Sequence, residues 1–145
     1  IGVSGLASLL SAPFWGRLSD RSSKFVLIFS ALLVCINGVC VYVLASWFEH
    51  TFNYIWLIPT LFFFLSVGHQ GVRLGRKTYL VNLSEGNKRT DYVSVSNTVI
   101  GLMLLVFGSI GLLNGLLSNA QLILVYSGLG GIGAISAAFL PKLEQ

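Results

Sequence analysis

Between residues 55 and 77 the chain places Ser66, His69, Gln70, Arg73 and Lys77 at spacings of three and four. In a helix that spacing puts these side chains on one face. An imidazole, an amide and a guanidinium sharing a face can bind a polar solute. The imidazole can also carry a proton, because its pKa is readily moved across physiological pH. The competing reading is that Arg73 snorkels to an aqueous surface while His69 and Gln70 satisfy a neighbouring helix. None of the five Asp and Glu residues falls inside an apolar stretch. Proton coupling run through these segments would therefore use His69 or a carboxylate supplied from elsewhere.

Other combinations that could do chemistry do not survive their context. Cys35 and Cys40 are five apart in an apolar run, which fits neither a zinc pair nor a secreted disulfide framework, and they read as buried free thiols. Gly128-Leu129-Gly130-Gly131-Ile132-Gly133 satisfies a dinucleotide fingerprint. It lies within an apolar stretch, with no acidic residue about 20 positions on, and so reads as helix packing. Gly71-Val72-Arg73-Leu74-Gly75-Arg76-Lys77-Thr78 has the wrong spacing for a phosphate loop, and Asn82-Leu83-Ser84 is a glycosylation triplet on the side expected to be cytoplasmic. With no nucleophile, metal cluster or cofactor site in view, the expectation is a protein that is not an enzyme and binds neither metal nor cofactor.

The elements that must position the polar stripe follow from composition. The 145 residues are 54% hydrophobic and 10% charged, against about 25% charged in a soluble domain, and mean hydropathy is +0.82. Such a chain belongs in a bilayer. Apolar stretches place a helix end at 1–15 and spans at 25–47, 55–72, 92–117 and 122–140, with the third helix continuing toward the headgroups. The expected fold is thus an all-α, multi-pass transmembrane bundle made of one helix end and four spans. A start at Ile1-Gly2-Val3 reads as entry partway along a helix of a longer protein.

The basic residues orient this bundle. Arg17, Arg21 and Lys24 fall in the first connection, Arg73, Arg76, Lys77, Lys88 and Arg89 in or beside the third, and Lys142 in the tail. The connections near Glu49-His50 and Ser118-Asn119 have none. The positive-inside bias makes the basic side cytoplasmic, together with the C-terminus. The formal charge of +4 is therefore topological, which removes nucleic acid as a partner and leaves the lipid bilayer.

The spans differ in polarity. Residues 25–47 are apolar nearly all round except for Asn37, which suits a peripheral, lipid-facing helix. The stripe at 66–77 needs protein or a water-filled cavity to face, so its helix is the expected pathway-lining element. In 92–117, Ser94, Gly101, Gly108 and Gly115 recur every seven residues, with Asn97 and Gly111 beside them. Small residues at that spacing allow close backbone approach, so this face is expected to pack on another helix. Thr90 or Asp91 could cap its start.

The most informative connection is Gly16-Arg17-Leu18-Ser19-Asp20-Arg21-Ser22-Ser23-Lys24. It reads as a tight charged hairpin at 16–24 between two apolar helices. The spacing resembles the G-x-L-[SA]-D-R-x-[GS]-[RK] loop of the major facilitator superfamily of secondary transporters. Gly16, Leu18, Ser19, Asp20, Arg21, Ser23 and Lys24 fit, while Phe25 stands where many members carry another basic residue.

The resemblance implies two pseudo-symmetric halves that rock around a central site, of which this chain would be one. It implies that Gly16, Asp20, Arg21 and Lys24 belong to a cytoplasmic conformational latch whose partner lies in the other half. Either half would leave three crossings after the first complete span, and the abrupt tail at Pro141-Lys142 favours the C-terminal one. The expected activity is permease-type movement of a small-molecule substrate by alternating access, with a proton as a possible coupling ion, across a bacterial plasma or inner membrane. His69, Gln70, Arg73 and Asn97 are the pathway candidates, and the N-terminal half is the expected partner. Multidrug efflux within the same superfamily, and a small structural membrane protein that oligomerises through its glycine faces, are the alternatives.

Overall fold

The computed structural model describes residues 2–84 and 88–143. Five α-helices account for most of it: α1 (Gly2–Arg21), α2 (Ser23–Trp47), α3 (Leu57–Leu83), α4 (Arg89–Gly108) and α5 (Asn119–Ala138). The architecture is all-α, with 90% helix and no strand among the described residues. Three helical stretches, Ser23–Trp47, Arg89–Leu112 and Asn119–Ala138, are long and apolar enough to cross a membrane. The stretch 55–72, expected as a fourth complete span, falls mostly in the first part of the amphipathic α3 and is not among them. His69, Gln70 and Arg73 interrupt its apolar run.

Local signals set the helix boundaries. The expected hairpin at 16–24 is almost entirely helical: α1 continues to Arg21 and α2 begins at Ser23, leaving only Ser22 between them. Ser22 is extended, at φ −165° and ψ 101°, and its hydroxyl accepts the Phe25 N–H at 3.2 Å, capping α2. A single capped residue can reverse the chain here because serine satisfies an amide that the new helix leaves unpaired. Pro59 falls in the first turn of α3, where its missing N–H costs nothing. Pro13 lies inside α1 and removes one rung of its hydrogen-bond ladder.

Ser118 begins α5 with a reciprocal capping box. Its hydroxyl accepts the Gln121 N–H at 3.3 Å, and the Gln121 side-chain oxygen accepts the Ser118 N–H at 2.8 Å. Ser118→Ala is expected to cost about 1 kcal/mol, seen as faster amide hydrogen exchange in the first turn of α5. By contrast, α4 starts from Lys88 with no side-chain cap, so neither Thr90 nor Asp91 takes that role, although Asp91 sits in the first turn.

Packing centres on α2, which meets α5 and α3, while α1 lies against α3. The expectation of a peripheral α2 is therefore corrected. Its Phe25, Phe29, Leu32, Ile36, Val39 and Val43 stay exposed, but Val26, Ser30 and Asn37 are buried. Near-uniform apolarity hid a packing face made partly of small and polar residues. The same rule holds across the bundle: Ala7, Ser11, Trp15 and Ser19 on α1, and Ser127, Ala134 and Ala137 on α5, are buried. Where the solvent is hydrocarbon, burying a large apolar side chain brings no gain over leaving it in lipid, and close backbone approach through small residues decides association.

α4 departs from this pattern. It buries no residue, and its α-helix gives way at Ser109 to a 3-10 segment, Ser109–Gly115, within the stretch 92–117 expected as one span.

Candidate functional site

α3 carries two faces with opposite jobs. Gly68, Gly71, Gly75 and Tyr79 are buried along one of them. A Cβ on Gly68 would come within 2.7 Å of Val34 Cγ2, one on Gly71 within 2.7 Å of Ser30 Cβ and 2.8 Å of the Trp15 ring, and one on Gly75 within 3.0 Å of Val26 Cγ1. This glycine seam is what lets α1, α2 and α3 approach. Trp15, fully buried, fills the space opposite Gly71, and its indole N–H donates to the Val67 carbonyl at 2.9 Å.

Arg73 and Lys77 each follow a seam glycine by two residues, about 200° around the helix. The polar stripe therefore points away from the bundle. His69, Arg73 and Lys77 are exposed, and Gln70 and Ser66 are half-buried. The Ser66 hydroxyl donates to the Phe62 carbonyl at 2.8 Å, a bond within its own helix. His69, Gln70 and Arg73 make no side-chain hydrogen bond or ion pair with the described residues. The structure thus brings these three together on one open face of α3.

The fourth candidate, Asn97, is exposed on α4. It joins Arg76, Lys77 and Arg89 around a cleft of about 220 Å³ between α3 and α4. Its neighbours are the basic residues at the end of the stripe.

The residues of the first connection divide. Gly16 lies within α1, and a Cβ there would meet nothing within 4 Å, so close approach does not explain it. Asp20 and Arg21 are exposed, and Asp20 makes no ion pair with the described residues. Lys24 instead ties the start of α2 to the end of α5: its ammonium donates to the Leu140 carbonyl just beyond α5. Tyr79 adds a second tie, its hydroxyl donating to the Pro141 carbonyl at 3.2 Å. A cation on a carbonyl at a helix C-terminus is electrostatically favourable. The pairing spans 116 residues of sequence, so no local pattern announces it.

The glycine stripe of 92–117 begins in α4 and ends in the 3-10 segment. Around Gly101, Gly108, Gly111 and Gly115 an added Cβ would meet nothing within 4 Å, so in this chain that face packs on no other described helix. Four positions that do take close contacts, Gly38, Gly68, Gly71 and Gly75, lie on α2 and α3. A Cβ on Gly38 would come within 2.8 Å of Ser127 Cβ, and the Ser127 hydroxyl donates to the Cys35 carbonyl at 2.6 Å. The small-residue spacing at 68, 71 and 75 is present in the sequence. Polar residues interleave with it, so the same helix reads first as a pathway.

Asn37, the lone polar residue of its span, is 9% exposed. It borders an apolar groove of about 370 Å³ whose walls include Val34, Val41, Leu61, Leu65 and Ile123.

The site therefore consists of an exposed polar face on α3 set by a glycine seam behind it, with a basic cleft at one end and a lysine-tied helix terminus nearby. No protein-family model, curated protein or solved structure matches the chain.

Proposed function

We propose that this chain is part of a secondary transporter of the major facilitator type, in which the polar face of α3 borders the solute pathway. The observation that carries the reading is the open stripe of His69, Gln70 and Arg73, backed by a seam that fixes its direction. Exposed polar groups at membrane depth are costly against lipid, and a water-filled cavity shared with a second half relieves that cost. The resemblance of Gly16–Lys24 to the transporter loop agrees with this reading, with Asp20 and Arg21 free to meet the other half. Movement of a small solute by alternating access follows, with His69 as the side chain of this face that hands on the proton in a proton-coupled flux.

The test is flux into proteoliposomes holding the complete transporter. His69→Ala is expected to abolish the dependence on a pH gradient while leaving the protein inserted. Gradient-driven flux equal to that of the parent would sink the role given to His69, and no solute flux under any gradient would sink the transport reading.

A second reading, a structural membrane protein that self-associates, is favoured by the uncovered glycine face of α4. Cross-linking in membranes through Gly108→Cys separates the two: disulfide-linked copies support self-association, and a monomer that moves solute only with a second half supports transport.

A further inference from the structure

The cleft between α3 and α4 collects charge of one sign. Arg76 and Lys77 come from the last turns of α3, and Arg89 from the first turn of α4, where the helix dipole adds partial positive charge. No described acidic residue lines the cleft. Asp91, the closest acid in α4, stands two residues from Arg89 and so about 200° around the helix from it. The donors are an ammonium, two guanidinium groups and the Asn97 amide. The remaining wall is apolar: Leu80, Val81 and Val93.

Three cations that share a small cleft repel one another, and an anion between them removes that cost. The fork of a guanidinium matches phosphate oxygens in particular. The apolar wall and the place of the cleft at the end of α4, whose remaining length is apolar and exposed, decide the source of the phosphate. A free phosphate ion has no use for Leu80, Val81 and Val93, whereas a phospholipid brings a glycerol and acyl chains to cover them.

We propose that this cleft is a binding site for the headgroup of an anionic phospholipid. Arg76, Lys77 and Arg89 hold the phosphate, Asn97 donates to the phosphate or ester oxygens, and the lipid chains run down the exposed side of α4. The basic residues that set topology thereby acquire a second task, holding α4 beside a bundle that it barely touches. The inference is independent of the transport reading, since it concerns binding at equilibrium.

Native mass spectrometry of the purified chain, released from detergent after addition of lipid, tests it directly. Dioleoyl phosphatidylglycerol is expected to be retained in preference to dioleoyl phosphatidylcholine. Losing three basic contacts in the triple variant Arg76→Gln, Lys77→Gln, Arg89→Gln should weaken retention about a hundredfold. Each single variant should weaken it about fivefold, which keeps the comparison available if the triple variant loses helicity by circular dichroism. The double variant Arg17→Gln, Arg21→Gln, which removes charge outside the cleft, should leave retention unchanged. Equal retention of both lipids, equal loss in the control variant, or undiminished retention in the cleft variants would overturn the proposal. Displacement of the lipid by inorganic phosphate at matched concentration would assign the cleft to a free anion and overturn it as well.

Discussion

Replacement of Trp15 by alanine is expected to release α1 from the bundle. The indole is fully buried between α1 and α3, lies over Gly71, and donates to the Val67 carbonyl. Removing it leaves a cavity that small neighbours cannot collapse into, because the seam opposite is glycine. A buried Trp→Ala change costs about 3–5 kcal/mol in soluble cores. Part of that figure is transfer from water, which is absent in lipid, so the packing and cavity share should dominate here. Trp15→Phe separates the contributions: it keeps most of the ring contact and loses the hydrogen bond, at about 1 kcal/mol. Unfolding in mixed detergent micelles, followed by circular dichroism, should rank the parent above Trp15→Phe and that above Trp15→Ala. Equal midpoints for parent and Trp15→Ala would mean that α1 does not depend on this anchor.

The second large effect comes from the other side of the same contact. Gly71→Leu places a Cβ within 2.7 Å of Ser30 Cβ and 2.8 Å of the Trp15 ring. Neither neighbour is a flexible chain end: Ser30 is held by its hydroxyl bond to the Val26 carbonyl at 2.6 Å, and Trp15 by its indole bond. Relief requires α3 to move away from both α1 and α2, and overpacking of this kind costs about 1–3 kcal/mol or more. Gly101→Leu is the internal comparison, since a Cβ at Gly101 meets nothing within 4 Å. Its effect on stability should be near zero, with a slight gain in helix propensity. The same micelle unfolding experiment checks both variants, and a destabilisation by Gly101→Leu as large as that by Gly71→Leu would show that the seam has been assigned to the wrong helix.

The helices of this chain are legible in its sequence, and the contacts between them are only partly so. Apolar runs declared the helices, because the bilayer imposes one length and one polarity on anything that crosses it. The polar stripe of α3 was equally visible, since His69, Gln70 and Arg73 stand out against hydrophobic neighbours. The seam at Gly68, Gly71 and Gly75 was hidden by those same residues, which occupy the positions between the glycines. On α4 the reverse occurred. A clean seven-residue recurrence suggested a packed face, but packing needs a matching surface as well as small residues, and no described helix of this chain supplies one. The turn at 16–24 is shorter than its charged residues suggest for a simpler reason. Charged residues stop a helix from being buried without stopping it from being helical, so α1 carries Arg17, Asp20 and Arg21 as its final turn. The ties from Lys24 and Tyr79 to the chain after α5 connect residues far apart in sequence, and only the packed bundle brings them together.

The direction of the polar face decides whether α3 can border a pathway, and one measurement addresses it. With Cys35 and Cys40 replaced by alanine, single changes His69→Cys, Arg73→Cys, Gly71→Cys and Leu104→Cys can be exposed in membranes to a water-soluble maleimide. Rapid labelling is expected at 69 and 73, where α3 faces an aqueous space, and none at 104, which faces lipid, or at 71, which lies in the seam. Labelling at 69 and 73 as slow as at 104 would contradict it, because the stripe would then lie against lipid or protein and could border no pathway.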